Sequence, residues 1–116
     1  MTQSKTDSVI EMLKPLFIPL KTEYYEAFER GEKTEELRLY GARWNHKTCV
    51  VGREVILSKG YGKSNRMKGR IFAFAKLSGR NLTQENQKSV KEVYGSLDVA
   101  VAFIGIDELN RIGEKL

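Results

Sequence analysis

The sequence predicts an α+β fold: a small, mostly antiparallel β-barrel decorated by helices. Three observations predict it. Several short segments alternate apolar and polar residues with a period of two. Two other segments carry apolar or aromatic residues at helical spacing. Glycines punctuate the chain between them, as turns do in small barrels.

The elements follow in order. Residues 1–15 read as a polar tail and a short helix, Ser8 to Leu13, with Pro15 at its end. Residues 16–116 read as a single domain. Phe17 to Leu20 is at best an edge strand, because Pro19 cannot donate to a sheet ladder. Thr22 is placed to cap a helix running to Arg30, with Tyr24, Tyr25 and Phe28 as a core-packing stripe. Gly31 ends that helix. From Thr34 to Tyr40 the period is two. Leu37 and Leu39 are expected to face the core, and Glu36, Arg38 and Tyr40 the other side. After a polar loop with Arg43, Trp44, Asn45 and His46 come strands at Glu54–Ser58 and Met67–Leu77. In the latter, Phe72 and Phe74 oppose Ile71, Ala73 and Ala75. A basic loop, Lys59 to Asn65, joins the two and is expected to be flexible. Thr83 caps a helix reaching Tyr94. A β-branched strand spans Asp98 to Ile106, and Asp107 is expected to open a last short helix.

Charge is distributed unevenly. The 116 residues carry a net +5, with a pI near 9.4 and a mean hydropathy of −0.44. Residues 41–84 hold ten Lys/Arg and one acid, Glu54, whereas both flanks are net acidic. A sustained field of one sign attracts polyanions. The alternative is a solvated basic surface, but aromatic and glycine residues within the run favour backbone approach by nucleic acid. No apolar run reaches the roughly 18 residues of a membrane span, and Met1 to Ser8 has no signal-peptide core. No membrane association is expected, and cytoplasmic placement is the default. The lone Cys49 reads as a buried small hydrophobe. With one Cys and one His, His46, no metal and no cofactor is expected.

The densest chemistry lies in Gly31-Glu32-Lys33-Thr34-Glu35-Glu36-Leu37-Arg38, which reads G-x-K-x-x-E-x-R at a helix-to-strand junction. Arg and Lys hold phosphate or carbonyl oxygens. Glu accepts from base amino groups or sugar hydroxyls. Lys33, Glu36 and Arg38 are expected to converge in one cleft, with Tyr40 and Trp44 beside them. An ordinary surface ion-pair ladder is the competing reading. Arg43, Lys59, Lys63, Arg66 and Lys68 are candidate phosphate contacts, and Tyr61 a candidate base-stacking ring. The Lys59-Gly60-Tyr61-Gly62-Lys63-Ser64 run is not a phosphate-binding P-loop, because Leu57 stands where that motif needs glycine. Trp44 suits a stacking platform and a barrel plug equally.

The motif residues Gly31, Lys33, Glu36 and Arg38, following an amphipathic helix, resemble the signature of the ASCH domain family, whose fold is similar to the PUA domain. Val51-Gly52-Arg53-Glu54-Val55-Ile56-Leu57 resembles that family's turn and strand, with Arg53 where an acid is usual. The likeness spans about residues 16–106. It implies a PUA-like barrel with a cleft beside the motif strand, and work on RNA or nucleosides. Some small members are amidohydrolases acting on acetylated cytidine, and one group is linked to RNA cleavage. In the amidohydrolases the motif lysine, here Lys33, is the proposed base. Their nucleophilic threonine three residues later is replaced here by Glu36. For their second carboxylate, Glu85 and Glu92 are the candidates in the matching helix.

Two functions follow as expectations. The favoured one is a nucleic-acid-binding module, RNA above DNA. The other is a small hydrolase of a modified nucleoside or of RNA, in which Lys33 would be a base of lowered pKa and Glu36 would activate water. A third reading is an interaction protein whose basic face meets an acidic protein surface.

Overall fold

A computed structural model of the chain describes residues 13–112. Five strands and two helices follow in the order β1 (Leu16–Leu20), α1 (Thr22–Glu29), β2 (Glu35–Leu39), β3 (Glu54–Lys59), β4 (Arg66–Ser78), α2 (Gln84–Tyr94) and β5 (Ala100–Arg111). One 3-10 turn, Gly79–Asn81, precedes α2. The helix expected over Ser8–Leu13 falls almost wholly outside the described residues.

The strands form one sheet in the order β1-β3-β4-β5-β2, curled into a half-barrel. Pairing is antiparallel except between β1 and β3, which run parallel. The two edges are therefore β1 and β2. Pro19 sits on one of them, where its missing N–H costs no ladder bond.

The concave side holds the core. Ile18, Leu57, Met67, Ile71, Ile104 and Ile106 are buried together there. Tyr25 and Phe28 of α1, with Trp44 and Cys49 from the 41–53 loop, complete the cluster. Each such apolar side chain contributes on the order of 2 kcal/mol by leaving water. Helix α2 covers part of the other side, where Val90 and Val101 are buried outside the main cluster. The sheet is thus covered on both faces near β5.

Register explains three departures from the sequence expectations. In β4 the partners of β5 shift between Ile71 and Ala73, leaving Phe72 as an extra residue. A one-residue bulge reverses the alternation beyond it. Ile71 and Phe74 consequently share the core side, and Phe72 lies exposed across Gly105, where a Cβ would stand 2.8 Å from its ring. Strand β5 does not give way to a helix at Asp107. It continues to Arg111, which pairs with Met67, and passes Glu108 at a φ of 55°. In β2, Glu36 is only 7% exposed whereas Leu39 is 40% exposed, so Leu39 does not face the core. The concave face at β2 is the charged one.

Both helices end as the glycines dictate. In α1, Gly31 has a φ of 78°, its N–H reaches Phe28 O, and the Glu32 N–H reaches Ala27 O. This is a Schellman cap, and only a residue at ease with positive φ completes it cheaply. The α1 start differs from expectation. Lys21 is the cap residue, makes no side-chain cap bond, and Thr22 is already helical. In α2 the Thr83 hydroxyl accepts from Asn86 N–H at 3.2 Å.

Candidate functional site

The Schellman turn positions Lys33. Its N–H also reaches Ala27 O, at 3.2 Å, which returns the chain toward α1. The side chain then lies over two rings of that helix, Tyr24 at 5.4 Å and Phe28 at 5.5 Å. Its Nζ stands 3.6 Å from Glu36 Oε1. The other carboxylate oxygen of Glu36 accepts from Arg38 Nε at 2.7 Å. Arg38 also donates from its terminal nitrogen to Pro19 O at 2.6 Å. Lys33, Glu36 and Arg38 therefore form one continuous chain of charges, with the nearly buried carboxylate in the middle. Burying such a carboxylate needs partners on both oxygens.

Among the described residues, the three side chains divide between separate hollows. Lys33 and Glu36 line a groove along the β2 edge, between α1 and α2. Two adjoining hollows, of about 110 and 520 Å³, share Tyr24, Lys33, Asn86 and Ser89 and form its floor and walls. Glu85 lines the larger of them, together with Glu32 and Glu35. Arg38 instead lines a separate hollow of about 310 Å³ with Pro19, Leu20, Lys21, Gly60 and Tyr61.

Tyr40 and Trp44 occupy neighbouring places on the concave side. The Tyr40 hydroxyl and His46 Nδ1 share a hydrogen bond of 2.9 Å, and Phe74 packs against both rings. Lys76 Nζ lies 4.5 Å from the centre of the Tyr40 ring. Trp44 is 8% exposed, and two guanidinium groups lie over it, Arg38 at 4.9 Å and Arg43 at 5.2 Å. It acts as a plug in the core cluster.

The basic candidates are engaged unequally. Lys59 pairs with Glu26 at 3.2 Å and lies over Tyr25. Lys68 stands 3.8 Å from Glu54. Arg66 lies over Phe17 and donates to Gly62 O at 3.0 Å. Lys63 and Tyr61 are exposed on the loop between β3 and β4. That loop, expected to be flexible, is tied at several points: Gly60 N–H to Leu20 O, Lys59 N–H to Asn65 O, and the Ser58 hydroxyl to Gly62 O.

Other basic residues of the acid-poor run serve the fold. Arg53 donates to Lys14 O and Thr48 O, and Arg70 to Gly52 O. Arg80 bonds Asp98 at 2.6 Å, and this hydrogen bond and charge hold the Asp98 carboxyl below its ordinary pKa. The sequence's polyanion signal is thus partly a set of backbone ties.

Sequence reasoning missed three contributors. Asn45 organises the 41–48 loop. Its amide donates to Gly41 O and Ala42 O, while its Oδ1 accepts from Lys47 and Thr48 N–H. The Asn-in-loop signal for such an Asx turn was present in the sequence. Lys21 enters the site through the α1 start, and Lys76 through the β4 bulge; no local signal marks either. Among the described residues no three His, Cys, Asp or Glu side chains group to hold a metal ion, and no helix is long and apolar enough to cross a membrane.

Comparison with protein-family models, curated proteins and solved structures gives no match.

Proposed function

We propose that the chain is an ASCH-like nucleic-acid-binding module of PUA-like architecture, with RNA as the favoured ligand. The observation that carries this reading is the Lys33–Glu36–Arg38 chain at the β2 edge, with a groove on its lysine side. With one cation and four carboxylates, the groove offers a donor and acceptors to a base edge or a sugar hydroxyl rather than a seat for phosphate. Asn86 and Ser89 add neutral polar groups to the same wall. Arg43 and Lys63 are the exposed cations best free to meet phosphates. The resemblance of the motif to a nucleoside- and RNA-linked family supports RNA over DNA.

Titration of a labelled single-stranded RNA at two salt concentrations tests the reading. With four phosphates contacted, affinity falls by about 50-fold between 50 and 200 mM salt. Lys33→Gln weakens binding by about tenfold, as loss of a charge-assisted hydrogen bond does, while the fold is retained. Wild-type affinity in Lys33→Gln would remove the groove from the reading.

A second reading, hydrolysis of an acetylated-cytidine-type nucleoside or of RNA, draws on Glu85 lining the same groove as Lys33. Against it, Lys33 is engaged as a cation by a carboxylate and two ring faces. Incubation with acetylated cytidine is expected to leave it intact by mass. Acetate release that both Lys33→Gln and Glu85→Gln abolish would put the hydrolase first.

A further inference from the structure

The Tyr61 ring is one of the most exposed large apolar groups of the described residues, at 76%. It is nevertheless held in place. Phe17 lies beside it, ring centre to ring centre 6.1 Å at 40°. Arg66 rests on Phe17 at 5.1 Å and bonds Gly62 O, the residue after Tyr61. Gly60, the residue before it, is tied to Leu20 O at 2.8 Å and has a φ of 68°. An exposed aromatic on a loop anchored at both sides is a preorganised surface, so little ordering entropy opposes a ligand that stacks on it.

The hollow it borders is chemically two-sided. Pro19 and Leu20 give it apolar wall, and Arg38 and Lys21 give it cations. Arg38 is fixed by Glu36 and Pro19 O, which engage two of its five N–H donors in the described contacts. Those two bonds fix the plane of the guanidinium and so orient its remaining donors. Lys63 is exposed two residues from Tyr61. Two cations, Lys21 and Arg38, line the hollow, and none of its lining residues is acidic. It therefore fits a flat aromatic group bearing acceptor atoms and a negative charge.

We infer that this hollow is a subsite for one unpaired nucleotide: its base stacks on Tyr61, an acceptor edge meets Arg38, and its phosphate meets Lys21 or Lys63. The inference rests on the nucleic-acid reading and adds strand selectivity to it. A duplex keeps its base faces stacked inside, so only a single strand or a splayed end can use the ring. The Lys33 groove and the Tyr61 hollow lie on opposite sides of Glu36, which separates their contributions experimentally.

The test compares a labelled eight-nucleotide single-stranded RNA with the blunt duplex of the same sequence, for wild type, Tyr61→Ala and Tyr61→Phe. Because the Tyr61 side chain is exposed, the variants keep the fold, which circular dichroism checks. The expected result is a loss of about tenfold for the single strand in Tyr61→Ala, recovery in Tyr61→Phe, and unchanged duplex affinity. An unchanged salt slope in Tyr61→Ala would mark the loss as stacking rather than phosphate contact. Equal single-strand affinity in wild type and Tyr61→Ala overturns the subsite while leaving nucleic-acid binding in place. Equal losses for single strand and duplex overturn it as well. Absence of any RNA binding by the wild type overturns both this inference and the reading beneath it.

Discussion

The concave face of the half-barrel differs sharply between its two flanks. Around β1, β3 and the first half of β4 it is apolar, with Ile18, Val55, Leu57 and Met67 all buried. Across β2 and the second half of β4, the same face carries charge. Glu36 aligns with Ile104 and Phe74, and Arg38 with Ala102 and Lys76. One flank is held by packing, which is tolerant of detail. The other holds a carboxylate away from water and depends on interlocking bonds in fixed directions. The lesson is that one surface is held together in two different ways, so substitutions on the two flanks should fail differently.

The largest break is expected on the apolar flank. Leu57→Ala removes a fully buried side chain and loses about 3 kcal/mol in denaturant unfolding. On the charged flank, Arg38→Ala loses about 2 kcal/mol. The typical cost of orphaning a buried charge is reduced here because Lys33 still faces Glu36 and the site reaches solvent. Arg38→Lys keeps the charge but not the fork that spans Glu36 and Pro19 O, and loses roughly half as much. A Lys variant as stable as wild type would show that the guanidinium geometry is irrelevant. Gly31→Ala comes next, at about 1 kcal/mol. Its methyl meets nothing within 4 Å, so the whole cost is backbone conformation at positive φ.

The smallest effect concerns pH and belongs to the apolar flank. Burial holds the Cys49 thiol above its ordinary pKa, against weaker opposing contacts from Thr48, Asn45 and Arg53. The folded value exceeds the unfolded one. Its contribution to stability is therefore complete below the unfolded pKa, ~8.5, and is lost as pH rises through the folded pKa. The unfolding midpoint should fall between pH 8 and pH 10, and Cys49→Ala should flatten part of that fall. An identical slope in the variant would mean that other groups account for it.

Much of this architecture was legible in the residues. The period-two runs at β2, β3 and β4, the Gly31 and Thr83 helix boundaries, and Pro19 on an edge all follow from local chemistry. What escaped depends on partners distant in sequence. Nothing near Phe72 announces a bulge; it exists because of how β4 pairs with β5. Asp107-Glu108 looks like a helix start, yet pairing with Met67–Arg70 extends the strand. In β2 the alternation holds but its direction is the reverse of what the leucines suggest, with Glu36 buried and Leu39 exposed. Apolar leucines normally mark the inside, but here α2 supplies a second cover on the outer face and Leu37 faces it. Of the site, the adjacency of Lys33, Glu36 and Arg38 was readable from spacing. Their division between two hollows was not, because it depends on where Pro19 of β1 and Tyr61 of the β3–β4 loop arrive.

The bond from Arg38 to Pro19 O joins the two rims of a sheet whose edge strands never pair with each other. It works as a latch across an open mouth. Releasing it leaves β1 held by β3 alone on its backbone side, so β1 should fray before the rest of the sheet. The side chain that spans the mouth also grips Glu36 in the motif. Whatever draws on that carboxylate also pulls on the latch.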